Sequence, residues 1–213
     1  GKGYTDYPYI FKNKRFSSNN NSIKIFVYGN SQARDLINAL IELAEIKKFK
    51  FDFSYTYSEE KKIANLNDTN ILNNADLIII QTDMNVIPKS LLKHKRKIIA
   101  LTGRERFVYN VNPILFKSTY ERSNLVIDNN DTKICSSNDP FELPNSKNNE
   151  FSARINTQCA FNDRDNRKIL TSKNGEIFTF DGVHLSKSGA RKLANELILS
   201  KSFLEYINNI SRN

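Results

Sequence analysis

A chain of 213 residues is long enough to bury one sizeable core and short for two. Its 32 Lys and Arg against 23 Asp and Glu leave a net charge of +9, which favours anionic surfaces in general: lipid headgroups, acidic glycans or nucleic acid. The basic residues are scattered, however, and zinc-finger spacings, aromatic-glycine RNA-binding signatures and Walker-type loops are all missing, so nucleic acid is not an expected partner. Two cysteines and two histidines are too few to suggest a metal site, and no cofactor is expected.

In chain order, residues 1 to 21 are aromatic and polar, with Tyr4, Tyr7, Tyr9, Phe11 and Phe16 ahead of Ser17-Ser18-Asn19-Asn20-Asn21. They read as a linker that leads into the domain and lays some rings on it, although tyrosines can also line a glycan subsite. Residues 22 to 213 read as a single domain. Ser22 to Tyr28 predicts a strand, Gly29-Asn30-Ser31 a turn, and Gln32 to Ile46 a helix with Leu36, Leu40, Leu43 and Ala44 on one face. Phe49 to Tyr57 alternates aromatic and polar residues as a half-buried strand does. The continuous apolar runs Asp76 to Gln81 and Lys97 to Leu101 suit central parallel strands, with a short helix near Lys89 to His94 between them. Lys93-His94-Lys95-Arg96-Lys97 is the one dense basic patch, read as a solvated helix end.

From about Asn129 to Asn166 the chain is rich in Asn, Asp and Ser and reads as an irregular insert. Ile169-Leu170 and Ile177 to Phe180 then predict a hairpin around Lys173-Asn174-Gly175, an Asn-Gly turn signal. A closing amphipathic segment, Ser186 to Ile198, buries Leu193, Ala194, Leu197 and Ile198, and Phe203, Leu204 and Ile207 extend it. The strand-helix alternation predicts an α/β three-layer sandwich: a central, mostly parallel sheet flanked by helices, with ligands at the carboxyl ends of its strands.

Asp181-Gly182-Val183-His184 lies between the last hairpin and the closing helix. Three positions apart, the carboxylate can meet the imidazole, orient its ring and steady its protonated form. Far upstream, Ser31 sits on a strand-helix turn, where a hydroxyl is exposed and helix N-terminal amides face a developing oxyanion. A serine at that position also serves commonly as a helix N-cap. Both readings of Ser31 stand on the residues alone.

Together, Gly29-Asn30-Ser31 and Asp181-Gly182-Val183-His184 resemble the first and last blocks of the SGNH/GDSL hydrolases. The continuation from His184 to Leu197, HLSKSGARKLANEL, is especially similar to the extracytoplasmic SGNH domains fused to membrane-bound bacterial O-acyltransferases. The resemblance implies a flavodoxin-like topology, with Ser31 as nucleophile, His184 as base and Asp181 as the residue orienting it. It implies an oxyanion hole that includes the Ser31 amide, and a disulfide between Cys135 and Cys159. The family usually carries Asp where this chain has Asn30, and no Gly between Gly29 and Gly103 can serve as the second block's oxyanion donor. The third block is matched only by Asp83-Met84-Asn85; Asn85 is either an oxyanion donor or a loop asparagine.

The expected function is transfer of an acyl group, acetyl by resemblance, to a hydroxyl of a bacterial surface glycan. Its partners would be an acyl donor, a glycan acceptor and an upstream transmembrane acyltransferase domain of the same chain. That places the domain on the periplasmic or extracytoplasmic side of the inner membrane. No apolar run reaches the roughly 18 residues needed to cross a bilayer and no signal peptide is present, and Gly1-Lys2-Gly3 reads as a truncated linker, so the membrane part is expected upstream. The alternatives are a carbohydrate esterase of the same fold and a weakly active glycan-binding module.

Overall fold

The computed structural model describes residues 4–18, 21–58, 69–81, 91, 93–102, 123, 125–127, 139–143, 151–163, 165, 167–179, 181 and 183–211. Strand β1 (Ile23–Gly29) leads into helix α1 (Ser31–Lys47), then β2 (Phe51–Tyr57), the short α2 (Thr69–Asn74), β3 (Leu77–Gln81) and β4 (Ile98–Thr102). Two-residue strands β5 (Val126–Ile127) and β6 (Phe141–Glu142) follow. After them come β7 (Ala153–Asn156), a 3₁₀ turn at Thr157–Phe161 and β8 (Lys168–Ile169). Helices α3 (Lys187–Leu199) and α4 (Lys201–Ser211) close the chain. Among the described residues no helix is long and apolar enough to cross a membrane.

The main sheet has the order β2-β1-β3-β4-β7-β6. Its first five strands are parallel and β6 is antiparallel to β7. The expected mostly parallel sheet flanked by helices is therefore the architecture found. β1 and β3 are neighbours although α1 and β2 lie between them in sequence, so the strand order switches direction there. In open α/β sheets the crevice at such a switch, outside the carboxyl ends of the strands, is where ligands bind.

The apolar runs occupy the centre because they are covered on both faces. All five residues of β3 are buried, and Ile25, Val27, Ile79 and Ile99 share one core with Leu36, Leu40 and Leu43 of α1 and Leu193 and Leu197 of α3. Each such side chain contributes roughly 1.5–3 kcal/mol when fully buried. Gly189 in α3 lets that helix lie against the preceding chain, since a Cβ there would stand 2.2 Å from the Phe178 carbonyl oxygen.

Several sequence expectations shift. β2 is not half-buried: Asp52 to Thr56 are all buried. The cause is the N-terminal segment, whose 3₁₀ helix Tyr4–Phe11 packs on α1 and β2. Lys12 bridges to Tyr55 and the Asn13 amide donates to the Tyr55 carbonyl at 2.8 Å, which covers the open edge of the sheet. The stretch expected to be an irregular insert, 129–166, supplies two strands of the sheet, β6 and β7. Ala153 and Ile155 point into the core, but four residues are too few to show a period amid polar neighbours. The chain after Leu199 is a separate helix, with Ser200 taking the amide of Phe203 at 3.2 Å and donating to Asp139 at 3.0 Å. The hairpin around Lys173-Asn174-Gly175 is present as a tight turn, with Gly175 at a φ of 73° and a Thr171–Ile177 bridge at its base.

The short helix expected at 89–94 falls largely outside the described residues. So does Cys135, and of Cys159 only the backbone is described.

Candidate active site

The site is assembled at the carboxyl ends of β1 and β3. α1 begins at Ser31, and its N-cap is Asn30, whose side chain accepts from the Gln32 amide at 2.9 Å. The alternative role for Ser31, capping the helix itself, is thus taken by its neighbour. Ser31 becomes the first helical residue, partly exposed, on a turn whose backbone is held from three sides. The Tyr55 hydroxyl donates to the Gly29 and Asn30 carbonyls at 3.2 and 3.1 Å, and the Ser58 amide donates to the Gly29 carbonyl at 3.0 Å. From β3, the buried Gln81 side chain accepts from the Asn30 amide and donates to the Gln32 side chain, both at 3.0 Å.

This packing explains the glycine. A Cβ at Gly29 would lie 2.6 Å from the Ala33 Cβ and 2.9 Å from the Gln81 Oε1, so any side chain there displaces either the helix or the glutamine. Nothing in the pattern of residues marked Gln81 beforehand, except that it is the one polar residue closing an apolar strand.

On the other side of the crevice, the loop after the hairpin is closed at its base by a Thr179–Leu185 bridge. Within it, Asp181 accepts from the Val183 and His184 amides at 2.9 and 2.7 Å and from the Thr179 hydroxyl at 3.3 Å. Its second oxygen meets His184 Nδ1 at 2.5 Å. Burial works against ionisation of Asp181, but hydrogen bonds from the His184 ring and from the His184 and Val183 amides outweigh it and hold the carboxyl below its ordinary range. An ionised partner on Nδ1 leaves Nε2 as the basic nitrogen. The other histidine, His94, precedes β4 and so lies at the opposite, amino-terminal edge of the parallel sheet.

The two sides are joined at α1. Asp35, one helical turn beyond Ser31, and Leu185, the residue directly after His184, line one small space between helix and loop. Leu185 packs in the same core as Ala33 and Leu36. A helical turn advances about 6 Å over four residues, so the serine and the imidazole are carried on segments tied together one turn from the serine. Ser186 continues the joint: its hydroxyl donates to the Ile177 carbonyl at 2.5 Å and accepts from the Gly189 amide at 3.1 Å, starting α3. Asn85 lies outside the described residues, as do Asp83 and Met84.

No protein-family model matches the chain, and no curated protein matches it. Among solved structures it is similar to the periplasmic domain of the Salmonella ser. Paratyphi A lipopolysaccharide acetyltransferase. The likeness has a TM-score of 0.54 over 92% of this chain and 96% of that one, at 14% identity. The two share a fold. At that identity the likeness speaks for architecture, and the roles of residues rest on the geometry above.

Proposed function

We propose that the protein is a serine-dependent acyltransferase, in which Ser31 is the nucleophile, His184 the base and Asp181 the group that orients and steadies the imidazole. The observation that carries this reading is the Asp181–His184 pair at 2.5 Å on a loop that packs, through Leu185, in one core with the helix that Ser31 begins. In the first half-reaction His184 Nε2 takes the Ser31 hydroxyl proton as Oγ bonds to the acyl carbonyl carbon. The tetrahedral intermediate collapses with the donor's leaving group, which receives that proton. In the second, Nε2 takes the proton of an acceptor hydroxyl, the acceptor oxygen bonds to the acyl carbon, and Ser31 leaves with its proton restored. The Gln32 amide is engaged by Asn30, so the Ser31 amide is the donor this helix terminus offers the oxyanion, and Asn85 is the proposed second donor.

The acceptor we infer is a hydroxyl of a surface glycan, the transferred group acetyl, and the setting extracytoplasmic beside a membrane domain that delivers the acyl group. The fold shared with a lipopolysaccharide acetyltransferase domain supports this. So does a cleft of about 480 Å³ along α1, lined by Tyr4, Tyr7, Asn38, Glu45 and Lys187, where rings and carboxylates together suit a sugar. Lys187 follows His184 by three residues. A second reading, an esterase with water as acceptor, is favoured by the openness of the pair, whose His184 and Asp181 side chains are 30% and 53% exposed.

The test is turnover of an activated acetyl ester with and without oligosaccharide, beside Ser31→Ala. Acceptor-dependent product that vanishes in Ser31→Ala supports the transferase. Hydrolysis indifferent to sugar supports the esterase, sugar binding without turnover leaves a binding module, and turnover surviving Ser31→Ala overturns both enzymatic readings.

A further inference from the structure

Asp35 is an acid in an apolar place. It is 6% exposed, and one of its oxygens, Oδ1, is buried without a hydrogen-bond partner. The same holds for Gln32 Nε2, one turn earlier on α1. Both residues line a cavity of about 10 Å³, with Thr157 and Val183 on its far wall. That is the room one water needs, and an internal water is kept where several polar groups converge on it. An orphaned donor and an orphaned acceptor facing one such space are what a bridging water satisfies.

We propose that Asp35 is a positioning residue that holds the His184 loop in register with the Ser31 turn, by way of one water shared with the Gln32 side chain in the cavity that Val183 and Leu185 close. From the cavity the connection runs on to the serine: the water would join Asp35 to Gln32, Gln81 donates to Gln32, and the Asn30 amide beside Ser31 donates to Gln81. Each end of the chain of contacts lies next to a residue assigned to the reaction. Burial pushes the Asp35 carboxyl well above its usual range, the charge of Asp181 adds to this, and the Leu185 amide and Arg34 oppose it. Burial thus favours the protonated form of Asp35, and an amide of the same shape can replace it.

The inference rests on reading Ser31 and His184 as one site, so its test includes a signal independent of turnover. The protein has two histidines and no tryptophan, which leaves the far-downfield proton NMR region open for the Nδ1 proton shared by His184 and Asp181. Asp35→Leu, which removes the carboxyl from that cavity, is expected to broaden or abolish that line. It is also expected to lower kcat on an activated acetyl ester about 30-fold with KM changed less than about 3-fold, the effect of a sub-ångström misplacement. Asp35→Asn is expected to keep both the line and kcat within about 3-fold of wild type. A wild-type line and turnover in Asp35→Leu overturn the proposal, as does Asp35→Asn damaged as badly as Asp35→Leu. Should Asp35→Leu fail to fold, Gln32→Met removes the water's second partner together with the bond from Gln81: a broadened line with kcat down about 5-fold supports the proposal, and no change in either overturns it. An inactive wild type whose line still depends on Asp35 sinks the proposed function and leaves this inference standing.

Discussion

The two halves of the site are held by different means. The Ser31 turn stands at the end of a buried parallel strand and is fixed from outside itself, by Tyr55 on β2, Gln81 on β3 and the close approach of Ala33 to Gly29. The Asp181–His184 loop is more exposed and is fixed chiefly by bonds within itself, four of them to one carboxylate. The proposed nucleophile, set by tertiary packing, and the proposed base, set by local hydrogen bonds, respond differently to substitution. Changes on the serine side carry a stability cost along with any loss of activity. Changes on the histidine side separate the two.

Asp181→Asn tests this most strongly. Its side-chain oxygen can still accept the Val183 and His184 amides, so thermal stability near neutral pH should change by less than about 0.5 kcal/mol. With the wrong tautomer favoured, turnover should fall about 10³–10⁴-fold. Near-full activity would make the carboxylate structural. Gly29→Ala should do the reverse, costing about 1–3 kcal/mol in a denaturant melt because the new methyl group overlaps Ala33 and Gln81. An unchanged melt would mean that the serine turn is looser than its contacts imply. Gln81→Leu leaves the part-buried Asn30 amide without its partner and should cost about 1–3 kcal/mol, with kcat lowered about 10-fold and KM little changed.

The smallest effect is a pH dependence of stability. Asp35 has its carboxyl raised by burial in the folded chain. Below about pH 4 both folded and unfolded forms hold the proton and the residue costs nothing. As pH rises from there, the unfolded chain releases its proton while the folded chain keeps it, so stability falls until the folded carboxyl ionises. Asp35→Asn removes that loss, and its melting temperature should gain on wild type as pH rises from about 4. A difference that stays constant with pH contradicts the buried neutral acid. Asp181, lowered instead, contributes stability above about pH 4 that disappears as pH falls through its folded value.

The long elements were legible in the sequence because their periods are long: β1, β3, β4, α1 and α3 appear within one residue of their expected ends. β6 and β7 were not, because strands of two and four residues carry no period and join the sheet through pairing with distant partners. At the site, the Asp181–His184 pair was readable from a spacing of three, since its bond is local. Gln81 and Asp35 were not, because their neighbours come from across the fold: Asn30 beside Gln81, and Val183 and Leu185 beside Asp35. A polar stripe did mark α1, where Asp35, Asn38 and Glu42 recur along one side of an otherwise apolar helix. Asn38 and Glu42 on that stripe bond the N-terminal segment through Tyr4, and Glu42 also meets Arg191 of α3 at 3.0 Å. Charged residues at buried helical positions are the signal that was available.

The most direct measurement is mass spectrometry of the protein after brief exposure to an activated acetyl ester, with peptide mapping of the adduct. The account predicts one acetyl group on the peptide containing Ser31, formed in wild type and abolished in both Ser31→Ala and His184→Ala. Acetylation at another residue in an active protein, or an adduct on Ser31 that forms as fast without His184, would contradict it.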